Sequence, residues 1–155
     1  MTPLFARLRW LPLLLLLSAC AAPMLLIPSQ RDLMWALLTP LVGFDPNKVN
    51  LFEQPVIKQR MTSLLGSHYD DTMRLLHTAN ELQKEGPLFF VVSRAAPALA
   101  QQAGLVWNSD TDRLAAVLKR GDKTEILSEA VQGAVTATAP TWPAAIATWL
   151  PPPAP

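Results

Sequence analysis

A single cysteine stands in 155 residues, which excludes an internal disulfide framework and a multi-cysteine metal site. Charge is sparse too. Only 16% of residues are Asp, Glu, Lys or Arg, and the formal net charge is +1. A chain so close to neutral lacks the basic footprint that phosphate backbones require, so nucleic acid is not an expected partner. Glycine is scarce, at six, and no phosphate-cradling glycine loop occurs. Ser93 has no Gly-x-Ser-x-Gly context, so a hydrolase elbow is absent. Half of the residues are hydrophobic, which rules out a wholly disordered chain. The length suits one domain, and there is no internal repeat.

Proline is abundant. Eight of the 15 prolines lie at positions 3, 12, 23, 28, 151, 152, 153 and 155. The ends therefore read as tethers, and residues 151–155 as a stiff, exposed tail of polyproline type.

The first residues are those of an export signal. Arg7 and Arg9 precede an apolar run from Trp10 to Leu17, followed by the small residues Ser18 and Ala19. A basic start, a short apolar stretch and a small-residue patch are the parts of a secretory signal. Loss of residues 1–19 leaves 11 Lys+Arg against 12 Asp+Glu, a formal charge of −1.

The order Leu17-Ser18-Ala19-Cys20 resembles the lipobox of bacterial lipoproteins, and the sole cysteine stands where that motif needs it. The resemblance implies lipid attachment at the Cys20 thiol, cleavage before Cys20 and acylation of the new amino terminus. Several acyl chains would make a firm membrane anchor. Ala21 follows instead of aspartate, which by the same resemblance implies the periplasmic face of the outer membrane. Two other readings stand beside it. Ala19-Cys20-Ala21 can be an ordinary cleavage site that yields a secreted protein. Trp10 to Ile27 is eighteen residues without a charge, just long enough for a tilted membrane helix, although Pro12 and Pro23 oppose it. Inner-membrane anchoring is the alternative location. Beyond the lipobox, no family is recognised for the mature domain.

That domain is expected over 29–150, after a tether at 20–28. Its helical half covers 29–86, its mainly β half 87–139 and a short final helix 141–150. Ser29 can cap a helix with Asp32 three residues on, and Pro40 should end it. Pro55 opens a second helix with Val56, Ile57, Met61, Leu64 and Leu65 on one stripe, and Gly66 stops it. Ser67 begins a third helix, expected to run to Gly86-Pro87. Its apolar face holds Tyr69, Met73, Leu76, Ala79 and Leu82, and Asp70, Arg74, His77 and Glu81 lie on the polar face.

Leu88 to Val92 reads as a buried strand. Ala95 to Ala103 reads as a short helix or a loop. Gly104 to Trp107, Arg113 to Lys119 and Thr124 to Glu129 read as strands. The Asn-, Asp- and Gly-rich breaks between them are short enough to require antiparallel neighbours. Val131 to Thr138 is a further strand-like run. Trp142 and Trp149 are seven apart on one face of the last helix. The fold class is α+β, with N-terminal helices layered on one face of a small antiparallel β-meander. The other face is left partly solvated or covered by a partner.

Catalytic and metal motifs do not assemble. His68 and His77 are nine residues apart and point to opposite sides of a helix, so they cannot share a metal. An ion-pair ladder of Arg74, His77 and Glu81 explains His77. Asp70 and Asp71, after His68 and Tyr69, suit a helix start. Asn108, Asp110 and Asp112 mimic half of a calcium loop, but Arg113 and Lys119 occupy the positions that need glycine and glutamate. Arg120-Gly121-Asp122 is ordinary hairpin-turn composition. No cofactor, metal or catalytic residue is expected.

Three functions follow in order. The first is a non-catalytic, outer-membrane lipoprotein that serves as a protein-binding accessory subunit of an envelope system, with an envelope protein as partner. The second is a periplasmic inhibitor or immunity protein that presents a hairpin such as Asn108–Asp112 to the cleft of an enzyme. The third is a small envelope enzyme or lipid-binding protein, which needs a pocket gathering Asp70, His77 or Asp112.

Overall fold

A computed structural model describes residues 29–94, 101–130 and 139–150. Cys20, the run 131–138 and the tail 151–155 lie outside the described residues, as does most of the Ala95–Ala103 stretch. Helix α1 spans Gln30–Leu38, and the Ser29 hydroxyl accepts a bond from the Asp32 amide at 3.2 Å. At Thr39–Leu41 the chain tightens into a 3-10 turn around Pro40, as expected of a residue that cannot donate to the preceding turn. Helix α2 runs Pro55–Leu65 with proline in its first turn, and Gly66 ends it at φ 51°.

Helix α3 spans only Tyr69–Leu76, and here the sequence expectation is overturned. A 3-10 turn, Gly66–His68, precedes it, and no side chain caps it. The chain leaves the helix at His77. Thr78 and Ala79 donate to Leu75 and Leu76 in tight turns, and the Thr78 hydroxyl donates to the Leu75 carbonyl. The threonine here offers the backbone an alternative to the helical ladder. The Leu82 amide then donates to Phe44, and the Leu82 carbonyl accepts from Gly43. Strand β1, Gln83–Glu85, follows where a helix end was expected. Ala79 and Leu82 are buried in this extended path as well, so the apolar spacing did not discriminate between the two conformations.

Strands β2 (Leu88–Val92), β3 (Gln101–Asn108), β4 (Arg113–Arg120) and β5 (Lys123–Ser128) complete an antiparallel meander in the order β1-β2-β3-β4-β5. The α+β reading therefore holds. Strand β3 is longer than the run Gly104–Trp107 and takes in Gln101 to Ala103.

The three central strands, β2 to β4, are buried on both faces, whereas β1 and β5 at the edges are largely exposed. Phe89, Val91, Leu105, Trp107, Leu114 and Leu118 point towards α1, α2 and α3, where Met34, Ile57, Met61 and Leu76 meet them. Their alternating neighbours Leu88, Phe90, Val106 and Val117 point the other way and meet Ile146. Ile146 belongs to helix α4, Ala144–Ala147, which is shorter than the expected 141–150. With Trp142, Trp149 and Leu150 packed beside it, α4 covers the face expected to be solvated or left for a partner. Burying an isoleucine completely contributes about 1.5–3 kcal/mol, enough to hold a single helical turn in place. Gly104 makes room for it, because a Cβ there would stand 2.7 Å from Ile146 Cδ1.

Candidate functional site

The β3–β4 turn is built from short polar side chains, and those of Asn108, Ser109 and Asp112 are hydrogen-bonded. The Asn108 side chain accepts from the Asp110 amide at 2.9 Å, a side-chain mimic of a backbone turn. The Ser109 amide and hydroxyl both donate to the Pro87 carbonyl at 2.9 Å, which ties this turn to the β1–β2 turn. Asp112 adopts φ 48°, the left-handed conformation that Asp tolerates better than most residues. Its carboxylate accepts from Trp107 Nε1 at 2.9 Å and from Arg60 Nη1 at 2.8 Å.

Arg60 is the centre of this end of the molecule. It is almost completely buried on α2, and it also reaches Glu129, with Nη2 at 2.5 Å and Nε at 3.2 Å from the two carboxylate oxygens. Glu129 accepts further from the Leu114 amide at 2.7 Å. Burial pulls the Arg60 pKa down, but hydrogen bonds and charge from Glu129 and Asp112 outweigh it. The net result lies above the ordinary value of a guanidinium. The group is thus a permanent cation that rigidifies the turn. Sequence reasoning passed over Arg60. A signal was present, since it stands three residues after Ile57 and four before Leu64, inside an apolar stripe.

Between the start of α1 and the two tied turns lies a cleft of about 670 Å³. Arg31, Asp32 and Trp35 form one wall, and Pro87, Trp107, Ser109 and Asp110 contribute to the other. Trp35 is 45% exposed. Its ring meets Phe89 edge-on with centroids 5.5 Å apart, and the Lys84 ammonium lies 5.8 Å from its centre. Of the expected Asn108–Asp112 surface, Asp110 is open to solvent and lines the cleft, whereas Asp112 is spent on internal bonds.

The remaining candidates do not converge. The expected ladder of Arg74, His77 and Glu81 does not form. Helix α3 ends before Glu81, and Arg74 pairs with Asp71 at 3.7 Å and bonds Gln101 at 3.3 Å. His77 Nδ1 instead stands 2.7 Å from Asn47 Oδ1, with its ring edge-on to Phe52. His68 pairs with Glu125 at 3.1 Å. Asp70 and Asp71 lie in the first turn of α3, and Asp71 pairs with Arg120 at 3.1 Å beside the Gly121 turn. Ser93 is buried and accepts from the Ala103 amide at 2.8 Å. Neither Asp70, His77 nor Asp112 lines the cleft. Among the described residues, no group of three or more His, Cys, Asp or Glu is placed to hold a metal ion, and no helix is long and apolar enough to cross a membrane.

Comparison with protein families matches residues 56–152 to inhibitor of vertebrate lysozyme (Ivy). The chain belongs to the Ivy family. The match begins in α2, takes in Arg60 and the whole sheet, and ends beyond α4. It corrects the expectation that the mature domain has no recognisable family. Ivy is by its description an inhibitor, so the family's task is to bind a protein, as the first two expected functions had it, and to inhibit, as only the second did. Comparison with curated proteins and with solved structures gives no match.

Proposed function

We propose that this chain is a non-catalytic inhibitor that binds a lysozyme and blocks it. The observation that carries the reading is the Ivy match over 56–152, which includes every strand of the sheet. The fold supports it. Inhibitors gain affinity by presenting a surface that is already ordered, and the Arg60 network and the Ser109–Pro87 tie hold two adjacent turns in place. Asp70 stands exposed at the start of α3, His77 meets Asn47 and Asp112 meets Arg60, and this dispersal supports a binding protein over an envelope enzyme. The general accessory subunit of an envelope system gives way to this more specific reading.

The test is direct. Purified chain is mixed with a vertebrate lysozyme, and clearing of a cell-wall suspension is followed. Inhibition that saturates near one molecule of chain per molecule of enzyme is expected. Undiminished clearing at a large molar excess of chain would refute the proposal.

The inhibitor works from the periplasmic face of the outer membrane, held by lipid on Cys20. The Leu17–Cys20 lipobox and Ala21 support this placement. Intact mass of the membrane-extracted protein decides it. A start at Cys20 with added acyl mass is expected, and retention of Met1 or a start at Ala22 overturns it.

A further inference from the structure

The cleft beside Trp35 has a wall that the Ivy match does not include, since Arg31, Asp32 and Trp35 precede residue 56. It combines two properties that surface tryptophans seldom share. The Trp35 ring is 45% exposed, yet it is held by the edge of Phe89 and by the Lys84 ammonium. By contrast Trp107 is buried, and Trp142 and Trp149 pack against the second core. The facing wall is equally rigid, because Ser109 is bonded twice to Pro87 and Trp107 is bonded to Asp112.

The chemistry of the lining selects a ligand class. Arg31, Asp32 and Asp110 line it and the Lys84 ammonium stands over Trp35, so two cations balance two carboxylates and no net charge selects an anionic or a cationic ligand. The cleft is open and its lining mixes aromatic with charged and hydroxyl side chains, unlike the enclosed, wholly apolar pocket that an acyl chain needs. What remains is a neutral ligand with an apolar C–H face for an aromatic plane and hydroxyl edges for Asp, Arg and Ser. A sugar ring has that form. A volume of about 670 Å³ falls within the range of small-molecule sites and leaves room for more than one ring.

We propose that this cleft binds a neutral oligosaccharide, stacked on Trp35 and hydrogen-bonded by Arg31 and Asp110. The inference is independent of the inhibitor reading.

The test uses the full chain in detergent micelles and chitotriose as probe, with maltotriose as a second neutral glycan. Binding is read by saturation-transfer NMR and tryptophan fluorescence. Saturable binding of at least one glycan is expected. Trp35→Ala should weaken it by about tenfold or more, and Asp110→Asn by a smaller factor, with circular dichroism unchanged. Trp35→Tyr, which keeps an aromatic plane, should retain most of the affinity and covers the case in which Trp35→Ala fails to fold. No saturable binding of either glycan overturns the proposal. So does equal binding by the parent chain and the folded Trp35→Ala and Asp110→Asn variants. Lysozyme inhibition is measured on the same samples. Glycan binding without inhibition refutes only the Ivy-based reading, and inhibition without glycan binding refutes only this one. Loss of inhibition in folded Trp35→Ala, with no glycan bound by the parent chain, makes the cleft part of the enzyme interface and also overturns the proposal.

Discussion

Arg60 and Asp112 are 52 positions apart and meet at 2.8 Å, one buried on a helix and the other at the foot of a hairpin turn. The contact joins the helical layer to the sheet at the end where Glu129 and Trp107 also converge. Such a junction is costly to leave half-made, because removal of one charge strands its partners.

Arg60→Met should therefore lower stability by about 2–3 kcal/mol. That lies below the roughly 3–5 kcal/mol of a fully buried broken pair, since Asp112 and Glu129 retain 30% and 26% side-chain exposure. Arg60→Lys should recover only part of the loss, because an ammonium cannot bridge two carboxylates as a planar fork does. Urea denaturation of the three proteins measures both. An Arg60→Met midpoint equal to that of the parent would remove the network from the account of stability.

The pH dependence has a defined sign. The folded pKa of Arg60 is raised above that of a free guanidinium, so its contribution is complete below the unfolded value and is lost only as pH rises through the folded one. The stability difference between the parent and Arg60→Met that arises from the guanidinium should stay level from about pH 7 to pH 10. Denaturation at intervals across that range checks it, and a loss of the difference by pH 10 contradicts a raised pKa.

Gly104→Ala tests the second face of the sheet. The added methyl would meet Ile146 at 2.7 Å and Val117 at 3.2 Å, so the Ile146 side chain, or α4 with it, must shift. A cost of about 1–3 kcal/mol is expected, with a change in tryptophan emission from Trp142 and Trp149. Adding Ile146→Val should restore part of the loss. Additive effects of the two changes would place Ile146 elsewhere.

Ser93→Ala removes the acceptor of the Ala103 amide while the Ser93 amide still donates to the Ala103 carbonyl at 2.9 Å. A loss of about 1–2 kcal/mol is expected, together with faster hydrogen exchange at Ala103. Unchanged exchange there indicates that the amide finds another partner.

What the sequence determined by itself was local. Ser29 with Asp32 placed the start of α1, Pro55 and Gly66 bounded α2, and the Asn-, Asp- and Gly-rich breaks separated β3, β4 and β5. Each of these signals acts within a few residues, through a cap, a missing amide or a positive φ, so it is legible without knowledge of the fold. The tertiary structure decided what depends on distant partners. Leu82 became part of an extended path because the backbone at Gly43 and Phe44 bonds it. Helix α4 crossed to the second face because Gly104 leaves a space that Ile146 fills. Asp112 turned inward because Arg60 was waiting there, while Asp110 stayed in the open cleft beside Trp35. Burial and ion pairing depend on which surfaces meet, and residues 52 positions apart carry no local sign that they will.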